Sequence, residues 1–270
     1  MSVEYNIPPP PDLKVADPAA FMGIVMEGVS KSFGPKMVLQ ETDLVIHKGE
    51  TLVVIGRSGE GKSVLLKHIV RLLDPDAGQI WIEGEEISGM ENAQLMELRK
   101  NFGFLFQGAA LFDSMNVCKN VGLILEEHTN WSQERVRERA RECLAQVGLV
   151  DSDEKLPSEL SGGMKKRAGL ARAIVMEPEY ILYDEPTTGL DPITGDAIND
   201  LIIKLQKELG VTSVVVTHDM ASAFKVADRM AMLRRGKIVF TGTVDQVRST
   251  DHPMVRQFIE GNSQGPLGAF

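Results

Sequence analysis

Gly56-Arg57-Ser58-Gly59-Glu60-Gly61-Lys62-Ser63 fits the pattern G-x-x-x-x-G-K-S/T. Its flanks are those the pattern requires: an apolar strand, Thr51 to Ile55, before it and a helix-forming run, Val64 to Leu73, after it. Glycines carry no Cβ and accept positive φ, so the backbone can wrap closely around a polyphosphate. Successive N–H groups then form an anion-binding nest at the positive end of the following helix. Lys62 is placed to reach the β- and γ-phosphates, and the Ser63 hydroxyl suits Mg²⁺, which keeps several waters and takes few protein ligands. Gly56 to Ser63, with Val64 behind them, are therefore the candidate nucleotide-binding positions. The loop implies a nucleotide without saying what the nucleotide is used for.

Upstream of the loop, Ile24 to Ile46 alternates and is rich in β-formers, and Lys48-Gly49-Glu50 turns into the strand before the loop. This reads as an antiparallel layer feeding a parallel core strand. Phe33 falls in Ser30-Lys31-Ser32-Phe33-Gly34, read as an exposed loop. Taken alone, Phe33 is better explained as a core residue; the other reading is a ring stacked on adenine. Residues 1–22 read as an extended tail around the Pro8–Pro11 run, with no basic segment and apolar core of a signal peptide.

Downstream, Gln79–Glu83 and Phe102–Phe106 read as strands, with Ala93–Lys100 as a helix between them. Between about 109 and 170 helical patterns dominate: Val117–Glu127, then Ser132–Val147 with i,i+4 acid–base pairs and Ser132 as N-cap. This section is expected to be a helical subdomain inserted in an α/β core. Ser161-Gly162-Gly163 precedes a helix over Met164–Met176, Tyr180–Tyr183 is a buried strand, and Asp191-Pro192 starts a helix that Gly210 stops. Val211–Thr217 is a strand ending at His218, and Arg229–Leu233 with Lys237–Thr243 forms a hairpin across Arg235-Gly236. Residues 246–270 read as a short helix and a fading tail.

Strands alternating with helices imply a mainly parallel sheet covered on both faces, whose ligands lie beyond the carboxyl ends of the strands. The phosphate loop, Gln107, Asp184-Glu185 and His218 each follow a strand, so all are expected at that edge. Asp184, closing the apolar Ile181-Leu182-Tyr183, is suited to orient Mg²⁺, and Glu185 to polarise an attacking water. Gln107 offers an amide oxygen to metal or water, and His218 a ring nitrogen to a γ-phosphate. Singly, a strand-end glutamine or histidine is usually structural. Ser161-Gly162-Gly163 is a second anion site, a serine cap before a helix N-terminus, although there is only one phosphate loop.

In their order, the phosphate loop, Gln107, Leu160-Ser161-Gly162-Gly163, Asp184-Glu185, Leu190-Asp191 and His218 resemble the ATP-binding cassette (ABC) ATPases over about residues 23–245. The resemblance implies a P-loop NTPase fold, ATP and Mg²⁺ as cofactors, Lys62, Gln107, Glu185 and His218 in catalysis, and Ser63, Gln107 and Asp184 around the metal. It implies a head-to-tail homodimer in which Ser161, Gly162 and Gly163 of one copy close over the nucleotide of the other, with Asp191 at the seam. Phe33 stands where the family usually has an adenine-stacking tyrosine.

Met164-Lys165-Lys166 replaces the glutamines most transporter cassettes carry there. With Gly108-Ala109-Ala110-Leu111-Phe112 after Gln107, it resembles the ATPase subunits of Mla/MCE-type lipid transporters. That narrower likeness implies phospholipid movement between inner and outer membranes. The implied partners are a membrane permease, a periplasmic MCE-domain protein and a small STAS-domain protein, with the chain peripheral on the cytoplasmic face of the inner membrane. Other readings are an ABC ATPase for another small solute, or a soluble ABC ATPase of translation or DNA repair; one cassette and no long heptad run weigh against the latter.

The 270 residues suffice for one large domain or a core with a subdomain, and a net charge of -9 weighs against nucleic acid as a partner. Cys118 and Cys143 lack C-x-x-C spacing and read as reduced, buried or idle thiols rather than a disulfide or metal site. No stretch reaches the ~20 consecutive apolar residues of a membrane span.

Overall fold

The computed structural model describes residues 13–268; the Pro8–Pro11 run lies outside them. The chain divides into two compact units, one of Met1–Glu91 with Val216–Phe270, the other Asn92–Val215.

In the first unit, β1 (Gly23–Phe33) and β2 (Lys36–His47) form an antiparallel pair, followed by the fully buried β3 (Thr51–Ile55) and by α1 (Lys62–Ile69). β4 (Ala77–Ile82) pairs antiparallel with the other edge of β1, and β5 (Glu85–Glu86) adds to β4. The expected β-layer is therefore present. Phe33, however, is the last residue of β1 rather than part of a loop, and it is 47% exposed. The tail expected over residues 1–22 is not extended throughout: Leu13 is buried, and Asp17 caps a single 3₁₀ turn over Pro18–Ala20.

The second unit runs through α2 (Asn92–Arg99), β6 (Phe102–Leu105), α3 (Val117–His128), α4 (Gln133–Gln146), α5 (Gly162–Ile174), β7 (Tyr180–Asp184), α6 (Pro192–Leu209) and β8 (Thr212–Thr217), whose last two residues belong to the first unit. β6 and β7 are parallel, with β8 next to β7. α3, α4 and α5 pack on one another in the stretch expected to be helical. Ser132 caps α4 and Asn116 caps α3, each through its side-chain oxygen. The acidic and basic residues of α4 face solvent except Arg139, whose largely buried guanidinium donates to the Val175 carbonyl.

Back in the first unit come α7 (Met220–Val226), the hairpin β9 (Arg229–Arg234) and β10 (Lys237–Thr243), α8 (Val244–Ser249) and α9 (Pro253–Glu260). β9 lies parallel to β3, and Thr51 and Asp228 exchange hydrogen bonds at the start of that pair. Arg235 and Gly236 both have positive φ, 48° and 73°, as a two-residue hairpin turn needs. A Cβ on Gly236 would lie 2.6 Å from the Val38 carbonyl, so only glycine lets this turn dock on β2. The expected single short helix from residue 246 is instead two helices from Val244. The segment after α9 is not a fading tail, because Leu267 is 5% exposed. Among the described residues no helix is long and apolar enough to cross a membrane.

Candidate active site

In the first unit, the chain leaves β3 through Gly56 and enters α1 through Gly61, which has φ 103° and leaves the helix N-terminus without a side-chain cap. A Cβ there would stand 2.9 Å from Val38 Cγ1. Gly59 has open space where its Cβ would be. The loop therefore presents backbone rather than side chains on this side, as a phosphate cradle requires. Lys62, 6% exposed, curls over the loop and donates to the carbonyls of Gly56 (2.8 Å) and Arg57 (3.2 Å). Ser63 and Val64 follow in the first turn of α1.

Two loop side chains turn to the surrounding framework instead. The Glu60 carboxylate pairs with the Arg234 guanidinium and accepts from the Arg235 N–H at 2.5 Å. The Arg57 guanidinium donates to the Leu267 carbonyl at 2.9 Å, as does Arg234 at 2.9 Å, while the Leu267 N–H donates to Gln257 Oε1. Glu60 and Arg57, expected only as nucleotide-binding positions, thus anchor the loop to β9 and to the C-terminal segment. Nothing in the sequence pattern marked these partners, since each contact spans most of the chain. In the same unit, His218 is exposed in the turn after β8. It is flanked by Thr217, which accepts from the Asp219 N–H, and by Asp219, which caps α7.

In the second unit, β7 delivers Asp184 (5% exposed) and Glu185 (7% exposed) at its carboxyl end. Glu185 has φ 48°, a left-handed backbone that a non-glycine residue holds only when its surroundings impose it. Thr188 Oγ1 donates to Glu185 Oε2 at 3.1 Å. Gln107 is exposed just past β6 and leads into Ala109 and Ala110, at φ 60° and 48°. One buried side chain joins these two corners: Lys166 Nζ donates to the Gln107 carbonyl at 2.6 Å and to the Glu185 carbonyl at 3.0 Å. Burial pulls the Lys166 ammonium down to about 8, against the charges of Asp184 and Glu185, which hold it up. Lys166 was legible only as a departure from the usual residue there.

Ser161 caps α5 by accepting from the Met164 N–H at 3.3 Å. A Cβ on Gly162 would meet Leu190 at 3.2 Å, and one on Gly163 would meet Thr194 at 2.5 Å, so the start of α5 rests directly on the start of α6. Asp191 caps α6, accepting from Ile193 N–H, Thr194 N–H and Thr194 Oγ1. That last hydroxyl above all holds its carboxyl below the usual range. Beside it Ile193 is 84% exposed. In the same unit, an apolar cleft of about 480 Å³ is lined by Phe102, Phe104, Phe106, Phe112, Leu123 and Ile124, with Glu127, His128 and Arg172 also at its walls. Cys118 and Cys143 are free and buried.

Known proteins share both this sequence and this fold. The ABC transporter family matches residues 39–188. The chain is 43% identical, over 249 residues, to the probable ribonucleotide transport ATP-binding protein mkl of Mycobacterium tuberculosis, covering 92% of this chain and 69% of that one. It is 40% identical over 242 residues to the intermembrane phospholipid transport system ATP-binding protein MlaF of Escherichia coli, covering 90% of each. Among solved structures, a dimeric ATP-binding cassette in a post-hydrolysis state bound to ADP and phosphate matches with a TM-score of 0.76 at 33% identity, over 82% of this chain and 98% of that one.

Proposed function

Because the chain belongs to the ABC transporter family, we propose that it is the ATP-hydrolysing motor of a complex that moves phospholipids between the inner and outer membranes. The observation that carries the reading is the buried Asp184-Glu185 corner in a chain that also has a glycine-built phosphate loop crossed by the buried Lys62. The cargo rests on the 40% identity with the phospholipid ATPase; the mycobacterial relative is named for ribonucleotide transport, which is the competing cargo.

In this reading the N–H groups of Gly56–Ser63 and the Lys62 ammonium hold the phosphates, and Phe33, half exposed at the end of β1, stacks on adenine. The Ser63 hydroxyl, the Asp184 carboxylate and the Gln107 amide are all hard oxygen donors, which fits them to hold Mg²⁺. The bound ion would neutralise charge on the phosphates. Glu185 orients and polarises the attacking water, and His218 hydrogen-bonds the γ-phosphate. Two copies pair head to tail, so that Ser161, Gly162 and Gly163 of one close over the nucleotide of the other and Asp191 lies at the seam. The solved cassette is dimeric, which supports the pairing of two copies.

A membrane permease is the partner that converts closure into transport. We assign a cytoplasmic segment of that permease to the apolar cleft, because the cleft reaches Phe106, the residue before Gln107, so an occupant would register movement of the Gln107 turn. A periplasmic MCE-domain protein and a STAS-domain subunit complete the proposed complex, with the chain on the cytoplasmic face of the inner membrane and no nucleic acid involved.

Glu185→Gln tests the core of this reading. It should leave ATP binding intact, slow turnover and trap an ATP-bound dimer; near-normal turnover removes Glu185 from the role. Lys62→Ala should abolish tight nucleotide binding. Extracting what co-purifies with the native complex decides the cargo: phospholipid supports the proposal, and nucleotide in the permease fraction without lipid overturns it.

A further inference from the structure

Lys166 has no part in the roles assigned above, yet it is 4% exposed and donates to two backbone carbonyls, those of Gln107 and Glu185. Lysine brings three donors and no acceptor, and a charged donor makes a stronger hydrogen bond than a neutral one. Both segments that it holds have unusual backbones: Glu185 is left-handed, and Gln107 leads into two left-handed alanines. Such conformations persist only where neighbours hold them.

The rest of the same helix face does related work. Three residues after Lys166, a Cβ on Gly169 would stand 2.7 Å from Leu105 and 3.3 Å from Ala109 Cβ, so α5 lies against the Gln107 turn at glycine distance. Three residues further, the Arg172 guanidinium donates to the carbonyls of Ala109 and Ala110, both at 2.6 Å. The helix that opens with Ser161-Gly162-Gly163 thus grips residues 105–110 along two turns, and Lys166 extends the grip to Glu185.

We propose that Lys166 is a positioning residue for ATP hydrolysis: it ties the backbones of Gln107 and Glu185 to the helix that begins with Ser161-Gly162-Gly163, so that the three keep one frame. The proposal rests on Glu185 polarising the water, as the proposed function has it. Lysine acts through the two backbones and need not touch the nucleotide.

The test compares the full-length wild type with Lys166→Met and Lys166→Gln. Methionine keeps length and removes every donor; glutamine keeps two donors without the charge. Since a misplacement on the order of 1 Å costs about 100-fold in rate, Lys166→Met should lower kcat by roughly 10-fold or more with KM for ATP changed by less than about 3-fold. Amide hydrogen exchange of residues 107–110 and 185–188 should quicken by roughly 10-fold. Lys166→Gln should recover part of both effects. A kcat within about 2-fold of wild type, a loss carried wholly by KM, or unchanged exchange in both segments overturns the proposal. Should Lys166→Met fail to fold, Lys166→Leu, which also lacks every donor, decides on the same readouts with the same criteria. Glu185→Gln, measured alongside, separates the two ideas. If it is slow while Lys166→Met is normal, only the tie is lost; if it is itself normal, the reading beneath the tie fails.

Discussion

Replacing Glu60 with alanine tests whether the phosphate loop is braced from behind. The Glu60 side chain is 10% exposed and its partner Arg234 14%. Alanine removes two charge-assisted hydrogen bonds, from the Arg234 guanidinium and the Arg235 N–H. Each is worth roughly 1.5–3 kcal/mol. Breaking one side of a fully buried pair costs about 3–5 kcal/mol, but Arg234 keeps the Leu267 carbonyl as an acceptor. We therefore expect a loss at the lower end of these figures, about 3 kcal/mol, or a fall of about 6–12 °C in Tm for a chain of this size. Glu60→Gln retains one acceptor and should lose about half as much. The brace also holds the loop in the shape that phosphate needs, so ATP affinity should weaken as Tm falls. Thermal unfolding by circular dichroism and nucleotide binding by fluorescence titration provide the two measurements. A double-mutant cycle with Arg234→Ala should return a coupling of at least about 1 kcal/mol. A Glu60→Ala protein with wild-type Tm, or a coupling indistinguishable from zero, would refute the brace.

Three further outcomes are expected. Ile193→Glu places a charge on a side chain 84% exposed beside Asp191; it should leave Tm unchanged and abolish the ATP-bound dimer trapped by Glu185→Gln, read by analytical ultracentrifugation. In Gly103→Ala the new Cβ would lie 2.3 Å from the Ala173 carbonyl, where neither strand nor helix backbone can yield; a loss of about 2–3 kcal/mol should appear in urea unfolding. Burial pushes the Cys143 thiol from an ordinary value of 9.0 up to about 11. Between those values the unfolded chain has released a proton that the folded one keeps, so stability should fall as pH rises through that window, and Cys143→Ala should remove that component.

Short-range features of this chain were legible because each depends on neighbours in sequence. Ser132, Asp191 and Gly210 mark helix ends through bonds to residues within four positions. Arg235-Gly236 marks a hairpin because both residues must take positive φ. The loop from Gly56 to Ser63 carries its own context in the strand before it and the helix after it. What escaped depends on partners far along the chain. Phe33 is an exception: it closes β1 by pairing with Lys36 of β2, only three residues on, across the Gly34-Pro35 turn. The C-terminal segment has too few apolar residues to show a pattern, and one carbonyl, that of Leu267, anchors it to Arg57 and Arg234.

Lys166 falls between these cases. Its neighbours at three and six positions, Gly169 and Arg172, lie along one side of a helix by spacing alone. A face carrying a lysine, a glycine and an arginine is an odd choice for burial, because two charges there require acceptors and a glycine weakens the helix. The structure supplies the acceptors as main-chain carbonyls at strand ends: Gln107, Ala109, Ala110 and Glu185. Where a chain leaves a sheet, main-chain carbonyls lose their strand partners and stand open to donors from a neighbouring helix. Two cations and a glycine spaced along one helix face, after a serine cap, therefore point to a helix laid across strand ends. In a protein of this architecture that is where the chemistry lies.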